Sequence, residues 1–372
     1  MLDNGTRHPN IALEKISGYH KDLGHDTKLI TNCEDVKLYD KVYLSKVFGF
    51  TKIPQIENGV IRVGEKDVKQ YKNVTECLNV EYGGTGFFFD KAPDLPHEIE
   101  HHMPDYNLYD EHINSEIARG IKPARFKDYM DYSVGFATRG CFRKCDFCVN
   151  KKYSKAIRHA PVKEFYDPSR KYIYLWDDNV FAYEKWRDVF AELEDIGRPF
   201  QFRQGMDIRI LTDEKANVLS KSKYHGDIIF AFDYIRDRDL IESKLKLWQA
   251  HNSSKTTKLY VLVAYESQDV NDIVNAFERI KILMNHRCLP YIMRYEKYDN
   301  SPMRGMYINL AAWCNQPNFF KKMTFREFCI ERGKSTTGNK GASWRYMEEF
   351  EKVYPDVAKK YFDMRYEEIK EV

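Results

Sequence analysis

Three cysteines that lie close together carry the strongest chemical signal in this sequence. Cys141, Cys145 and Cys148 form a C-x3-C-x2-C pattern. Three thiolates on one short loop can hold three irons of a [4Fe–4S] cluster and leave the fourth iron open to an external ligand. A structural zinc site needs a fourth protein ligand nearby, and the nearest histidine downstream is His159. The spacing therefore favours an iron–sulfur cluster, with zinc or an inert cysteine cluster as the alternative.

The remaining cysteines are expected to be structural. They are scattered along the chain and show no C-x-x-C pairing, so we expect small, buried, apolar side chains and no second cluster. These residues are Cys33, Cys77, Cys288, Cys314 and Cys329.

Strands and helices alternate from residue 132 onwards, which predicts an α/β fold. A helix is expected from Glu184 to Ile196, closed by Gly197, and another after the N-cap candidate Asp269. Six strands with helical crossovers favour a partial β/α barrel, in which chemistry takes place at the carboxyl ends of the strands. The six predicted strands are Tyr132–Thr138, Tyr172–Trp176, Phe200–Arg203, Asp227–Phe232, Lys258–Ala264 and Tyr291–Arg294.

The segment from Thr138 to Cys148 resembles the radical S-adenosylmethionine (SAM) superfamily. The triplet follows the first strand of the expected barrel, and an aromatic residue, Phe147, directly precedes the last cysteine. The resemblance implies that the open iron binds SAM, that reductive cleavage of SAM gives a 5′-deoxyadenosyl radical, and that this radical abstracts hydrogen from a substrate. It also implies a one-electron reductant of the flavodoxin or ferredoxin type as a partner.

The same resemblance assigns cofactor-binding residues after the first two strands. Phe147 corresponds to the aromatic residue that packs near the adenine of SAM. Asp177, Asp178 and Asn179 follow the second strand and resemble the polar segment that contacts the amino group of SAM. An ordinary turn with a helix cap is the alternative for this segment.

Further candidates follow the third, fourth and sixth strands. Gln204, Asp207 and Arg209 resemble a segment of one branch of the superfamily and are expected to face the site. An ion pair at the surface between Asp207 and Arg209 is the alternative. Asp233 and Arg294 are candidates of the same kind. Neither the substrate nor a catalytic residue is identified by these patterns.

That branch carries a cobalamin-binding-like domain at its N-terminus, and the first ninety residues resemble it. The resemblance includes Pro9–Leu13, Tyr39–Val47 and Gly83–Gly86. Cobalamin itself stays open, because the D-x-H-x-x-G motif is absent and its nearest fragment, Asp110–His112, lacks the glycine. The implied domains are a Rossmann-like domain over 1–90, a linker over 91–128, a radical SAM partial barrel over 129–300 and an α-helical extension over 301–372.

Composition narrows the class of protein. The chain has 372 residues, of which 43% are apolar, and its net charge of +3 gives no reason from charge alone to expect a nucleic-acid binder. The longest apolar run, Leu259–Tyr265, is too short to cross a membrane, and Met1–Asn10 shows no apolar signal segment. We therefore expect a cytoplasmic enzyme, with a non-catalytic iron–sulfur or zinc protein as the rival class.

A basic and aromatic tail is the feature that suggests a nucleotide or nucleic acid as a partner. Positive charges there interleave with Phe320, Phe325 and Trp344, although such charge is more often a solvated surface. The basic residues are Lys321, Lys322, Arg326, Arg332, Lys334, Lys340 and Arg345.

Overall fold

Contacts divide the chain into two units. The computed structural model describes residues 1–3, 8–63, 66–335 and 339–366. The first unit comprises Met1–Asp177 and Lys185–Phe200, and the second comprises Asp178–Glu184 and Gln201–Val372. Helices and parallel strands occur in both units, which confirms the α/β class.

The first unit contains most of the short strands. Its elements in chain order are β1 (Leu2–Asp3), α1 (Ile11–Asp22), β2 (Val42–Ser45), β3 (Gln55–Val63), β4 (Lys66–Asn73), β5 (Val80–Gly83), α2 (Thr85–Phe88), α3 (His97–Glu100), α4 (Asp110–Ala118), α5 (Lys127–Met130), β6 (Tyr132–Gly135), β7 (Thr138–Arg139), β8 (Ile157–Arg158), β9 (Tyr172–Leu175) and α6 (Trp186–Ile196).

A three-stranded parallel sheet, in the order β1-β2-β5, forms the N-terminal part of this unit. Helix α1 belongs to the same part of the unit. Its N-cap is Asn10, whose side-chain oxygen accepts a hydrogen bond from the backbone N–H of Leu13 (3.3 Å). Leu13 and Ile16 lie on the buried, apolar face of α1. Burial of each such side chain contributes about 1.5–3 kcal/mol to the free energy of folding. The turn after α1 contains Gly24 at φ +82°, which ends the helix.

The antiparallel hairpin of β3 and β4 lies between β2 and β5 in sequence and was not predicted. Its strands are rich in charged residues, and the register shifts between Glu57 and Gly59, which interrupts the alternation of apolar and polar residues. Ile56 is its buried anchor in the core beneath the sheet. Because apolar and polar residues do not alternate regularly along β3 and β4, the hydrophobic pattern of the sequence did not identify them as strands.

The strand predicted over Tyr132–Thr138 is two strands. β6 ends at Gly135 and pairs in parallel with β9, from Tyr132 opposite Tyr172 to Gly135 opposite Leu175. The chain then turns, and β7 pairs in antiparallel fashion with β8. A side chain at Gly135 would lie 2.2 Å from the ring of Phe165, so this crossing requires glycine.

Strand β10 (Phe200–Phe202) contains the division between the units, and the remaining elements lie in the second unit. They are α7 (Asp213–Lys221), β11 (Ile228–Ala231), α8 (Arg238–His251), β12 (Thr257–Val263), α9 (Val270–Asn285), β13 (Leu289–Arg294), α10 (Arg304–Cys314), α11 (Pro317–Phe320), α12 (Phe325–Arg332), α13 (Ala342–Val353) and α14 (Pro355–Tyr361).

The second unit is built on a parallel sheet in the order β11-β12-β13. These strands confirm the sequence prediction to within two residues, because each is a short, mainly apolar run bounded by turn residues. Helix α9 confirms the predicted helix, and the side chain of Asp269 caps it by accepting from the backbone of Asn271 (2.9 Å). Among the described residues no sheet closes into a barrel.

In the described part of the chain no helix combines the length and the apolar character needed to span a bilayer.

Candidate functional site

The three cysteines lie on a loop that closes on itself, the cysteine loop (residues 140–156). Its ends are joined by the pairing of β7 with β8. Lys144 closes the loop from within, because its ammonium group donates hydrogen bonds to the carbonyl oxygens of Tyr153 (2.8 Å) and Lys151 (3.4 Å). The sequence thereby holds all three thiols on one compact segment.

Gly140 makes this closure sterically feasible. Its φ of +91° lies in the left-handed region, which favours glycine. A Cβ atom there would lie 2.4 Å from the carbonyl oxygen of Lys155 and 2.5 Å from Cβ of Tyr153. The glycine directly before Cys141 is therefore required for the two arms of the loop to approach each other.

Two of the three sulfurs accept hydrogen bonds from the loop backbone. The N–H of Arg143 donates to Sγ of Cys141, and the N–H of Asn150 donates to Sγ of Cys148, both at 3.4 Å. Such bonds stabilise the thiolate form and are one means by which proteins tune metal–sulfur groups. The third member, Cys145, is tied to the loop through its carbonyl oxygen, which accepts from the N–H of Cys148 (3.0 Å).

The donor atoms that the cysteine loop offers to a cluster are three thiol sulfurs. All three residues are thiols rather than half-cystines, and they are half-buried. Within the described residues, no three His, Cys, Asp or Glu side chains are gathered closely enough to hold a metal ion. The thiols thus share a loop without sharing a coordination point. The chemistry of the donors fits an iron–sulfur cluster.

Asp177 is buried and binds the strand that leads into the cysteine loop. Its carboxylate accepts hydrogen bonds from the N–H of Ala137 (3.0 Å) and from both the N–H and the hydroxyl of Thr138. Only 2% of Asp177 is exposed. The residue that the resemblance assigned to SAM therefore positions the backbone three residues before Cys141.

The other residues after the first three strands have varied surroundings. Phe147 and Asp178 are half-buried, whereas Gln204 is exposed. Asn179 is buried, and its side-chain oxygen accepts from the N–H of Asp207 at 3.5 Å. The division between the units falls within the predicted polar segment, since Asp177 belongs to the first unit and Asp178 to the second.

Four charged residues gather in the second unit, where β11 and its neighbouring segments end. This group, the strand-end cluster, consists of Asp207, Arg209, Asp233 and Asp237. Arg209 donates from Nε to Asp207 (2.7 Å) and from Nη1 to Asp237 (2.6 Å). Burial acts to lower the pKa of Arg209, but its bonds with the two carboxylates outweigh burial and raise it above its ordinary value. The expected Asp207–Arg209 pair is thus largely buried and part of a larger cluster.

Asp233 is the carboxyl group of this cluster whose pKa is raised. Burial raises the pKa of Asp233 from 3.8 to about 6, although the charges of Arg279 and Arg209 act in the opposite direction. A carboxyl group with a pKa near neutrality can exchange a proton at physiological pH. Arg294, by contrast, is exposed and lies over the ring of Tyr298, with 4.4 Å from guanidinium to ring centre.

Two residues of α9 that the sequence analysis missed hold the strand ends in place. The buried guanidinium of Arg279 donates to the carbonyl oxygens of Phe232 (3.2 Å), Asp233 (2.6 Å) and Leu262 (2.8 Å). Asp272 accepts from the N–H of Ala264 at 2.6 Å. Both are charged residues at positions where the helical periodicity predicts apolar, buried side chains. Charged residues are rarely buried without a partner, so these two positions could have been identified from the sequence.

A second missed group lies in the first unit, next to the strand that closes the cysteine loop. Glu100 accepts from Lys15 (2.9 Å) and bonds His159 (2.9 Å), which directly follows β8. Burial acts against ionisation, but the bond to His159 and the charge of Lys15 prevail and lower the pKa of Glu100 to about 2. Burial lowers the pKa of Lys15, although Glu100 opposes this. Lys15 and Glu100 are 85 positions apart in sequence, and His159 is a further 59 positions along the chain, so no local sequence pattern could identify this group.

Some basic residues of the tail form ion pairs within the chain. Arg326 pairs with Glu351 and Asp363, and Lys340 pairs with Glu348. Phe320 and Phe325 are fully buried, so they cannot stack on bases. These two rings therefore belong to the core, and a nucleotide or nucleic acid as partner of the tail stays a prediction. Thr336–Gly338, which lie between Lys334 and Lys340 of this tail, are outside the described residues.

Comparison with solved structures gave a weak structural likeness. No family model matches the chain, and no curated protein matches it. The crystal structure of SuiB from Streptococcus suis bound to S-adenosylmethionine aligns with a TM-score of 0.31 and 10% identity, covering 61% of this chain and 65% of that chain. The alignment thus spans less than two thirds of SuiB, and a likeness this weak carries no argument about function.

Proposed function

We propose that this protein is a radical SAM enzyme in which Cys141, Cys145 and Cys148 hold a [4Fe–4S] cluster. The observation that carries the proposal is the closed loop that presents three thiols at C-x3-C-x2-C spacing, with backbone N–H groups bonded to two of the sulfurs. When bound, such a cluster supplies one electron for the reductive cleavage of SAM to a 5′-deoxyadenosyl radical. The chain's own part is to supply three thiolates from one closed loop.

The strand-end cluster is proposed to contribute to SAM binding. Arg209 offers guanidinium N–H groups and Asp207 a carboxylate, and both are held by bonds within the cluster. Side chains that are fixed before a ligand arrives lose less conformational entropy on binding. Asp178, Asn179 and Gln204 are proposed as further contacts on the strength of the family resemblance alone.

The finer fold assignment belongs to the same proposal. The parallel sheet β1-β2-β5 supports a Rossmann-like domain at the N-terminus, and the sheet β11-β12-β13 supports part of a β/α barrel. Cobalamin is left out of the proposal. The D-x-H-x-x-G motif is absent, and its nearest fragment, Asp110–His112, opens helix α4.

The test is the formation of 5′-deoxyadenosine by anaerobically reconstituted protein with SAM and dithionite, measured by mass spectrometry. We expect product from the wild type and from Cys77→Ala, a matched change at a half-buried cysteine outside the loop. Cys145→Ala should give none. Equal product from Cys145→Ala and the wild type would contradict the proposal, and stoichiometric zinc in place of iron would favour the rival metal-stabilised binding protein.

A further inference from the structure

The side chain of Asn150 carries a buried polar group that the fold does not use. Asn150 lies two residues after Cys148, at the end of the cysteine spacing. Its side-chain nitrogen, Nδ2, is shielded from solvent and has no hydrogen-bond partner among the residues that the structure describes. A buried N–H without a partner destabilises a fold, so a native chain that retains one needs a reason for it.

The cysteine loop is closed by other groups. Lys144 donates from its ammonium group to the carbonyl oxygens of Tyr153 and Lys151, and β7 pairs with β8. The backbone N–H of Asn150 donates to Sγ of Cys148 at 3.4 Å. The backbone of Asn150 therefore contacts a thiol, whereas its side-chain nitrogen forms none of the hydrogen bonds that hold the loop among the described residues.

Two arginines next to the loop have similar atoms, but other interactions account for them. Nε of Arg139 and Nη1 of Arg158 are also buried without a hydrogen-bond partner in the described part of the chain. The guanidinium of Arg139 lies over the ring of Phe136, 4.1 Å from its centre, and Nη2 of Arg158 donates to Glu192. Asn150 has no such second interaction within the described ranges, so we looked for its partner outside the polypeptide.

We propose that the side-chain N–H of Asn150 donates to a sulfur atom of the iron–sulfur cluster held by the three cysteines and thereby raises the reduction potential of that cluster. The inference rests on one part of the proposed function, the cluster itself, and does not depend on the cleavage of SAM. The side chain belongs to a residue whose backbone already bonds Sγ of Cys148, so it starts from the immediate surroundings of that sulfur.

The effect on the potential follows from charge. Reduction adds one electron, and hence one negative charge, to the cluster and its thiolates. An N–H group that donates to a sulfur offsets part of this charge and favours the reduced form, which is one way in which proteins set the potentials of iron–sulfur clusters. The donor is shielded from water, so its electrostatic effect is stronger than that of an exposed group.

The first test compares the reduction potentials of three variants. Asn150→Leu removes the amide at similar volume, and Asn150→Asp keeps the shape but has only acceptor oxygens when ionised. Asn107→Leu, at an exposed position of the first unit, is the matched control. Electron paramagnetic resonance follows a redox titration of the reconstituted protein, in which dithionite supplies the electron and is itself oxidised.

We expect the ratio of reduced to oxidised cluster to fall about three- to tenfold in Asn150→Leu, at the solution potential that half-reduces the wild type. Asn150→Asp should show at least the same fall, because it also adds a negative charge, and Asn107→Leu should equal the wild type. An unchanged ratio in Asn150→Leu overturns the inference.

Urea denaturation of the metal-free chain separates this role from a structural one. Asn150→Leu replaces an unsatisfied donor by an apolar group, so the metal-free variant should be as stable as the wild type or more stable. A clear loss of stability in the metal-free variant would mean that the amide has a partner within the chain, and it overturns the inference.

Pulsed electron paramagnetic resonance measures the contact itself and does not require a substituted protein to load the cluster. The wild type is labelled with ¹⁵N in the side-chain amides of asparagine and then reduced. We expect a weak ¹⁵N coupling to the cluster, kept in Asn107→Leu and lost in Asn150→Leu, and no coupling in the wild type overturns the inference. A cluster that is indifferent to SAM contradicts the proposed function but leaves these measurements decisive, whereas a wild type without any cluster contradicts both.

Discussion

Asp177 and Asp178 are neighbours in sequence with different surroundings. The carboxylate of Asp177 is buried and accepts from the backbone of Ala137 and from Thr138, whereas Asp178 is half-buried. Asp177→Asn replaces an acceptor oxygen by a donor, so we expect it to lower the free energy of unfolding by about 1–3 kcal/mol and to reduce iron incorporation. Urea denaturation and iron analysis measure both effects.

Asp178→Asn is the matched control for that change. It should shift stability by no more than about 0.5 kcal/mol and weaken SAM binding in equilibrium dialysis. The opposite result, in which Asp178→Asn is unstable and Asp177→Asn is stable with full iron, would contradict the structural role assigned to Asp177 and the SAM-binding role assigned to Asp178.

Asp233 gives a pH-dependent prediction. Because its pKa is raised from 3.8 to about 6, the folded state binds its proton more tightly than the unfolded state does, and stability is lost as the pH rises from about 4 through 6. Asp233→Asn removes the buried charge and should raise the free energy of unfolding by about 1–2 kcal/mol at pH 7.5, with no gain near pH 4. Urea denaturation at both pH values measures this, with the exposed Asp239→Asn as control. A gain that is the same at both pH values would contradict the assignment.

Residue types and their order along the chain predict part of the candidate site. The cysteine spacing and the acidic residues after strands were visible because they are local. The roles of Asp177, Arg279 and Glu100 were not, because each depends on partners that are brought together only by folding. Gln204, which was predicted to face the site, is exposed.

At the scale of elements, the cysteine loop depends on one backbone conformation. Gly140→Ala forces a Cβ into 2.4 Å contact with the carbonyl oxygen of Lys155 at a φ of +91°. We expect a loss of about 2–4 kcal/mol in unfolding free energy, together with lower iron content. Gly24→Ala is the control, because Gly24 also has a positive φ, +82°, but no atom within 4 Å of the added methyl group.

Gly24→Ala should therefore cost only about 1 kcal/mol, from the backbone conformation alone. Thermal unfolding and iron analysis of both variants separate the conformational cost from the steric one. Equal destabilisation by the two substitutions would contradict the claim that close approach across the cysteine loop requires Gly140.

The β-strands differ in how accurately the sequence predicts their presence and their bounds. β11, β12 and β13 are short, mainly apolar runs and were predicted to within two residues. The break between β6 and β7 was missed, because Phe136 and Ala137 continue the apolar pattern while the chain turns towards the cysteine loop. The β3–β4 hairpin was missed because its residues are mostly polar.

At the scale of the whole molecule, Glu100 joins distant parts of the first unit through Lys15 of α1 and His159 after β8. Its pKa is lowered to about 2, so its contribution to stability is complete above about pH 4.5 and is lost as the pH falls towards 2. Glu100→Gln should cost about 1–3 kcal/mol in unfolding free energy between pH 5 and 8, and less at lower pH.

Chemical denaturation at pH 7 and pH 3.5 measures that difference. Glu98→Gln, an exposed position on the same helix, should have no effect at either pH. A cost for Glu100→Gln that is constant over this range would mean that its carboxylate is not the ionised partner of Lys15 and His159.

Electron paramagnetic resonance of the reduced, anaerobically reconstituted protein, recorded with and without SAM, tests the central claim most directly. The account predicts the signal of a [4Fe–4S]⁺ cluster whose g-values change when SAM is added, with the signal lost in Cys145→Ala and kept in Cys77→Ala. A cluster signal indifferent to SAM, or a protein that binds zinc and gives no signal, would contradict it.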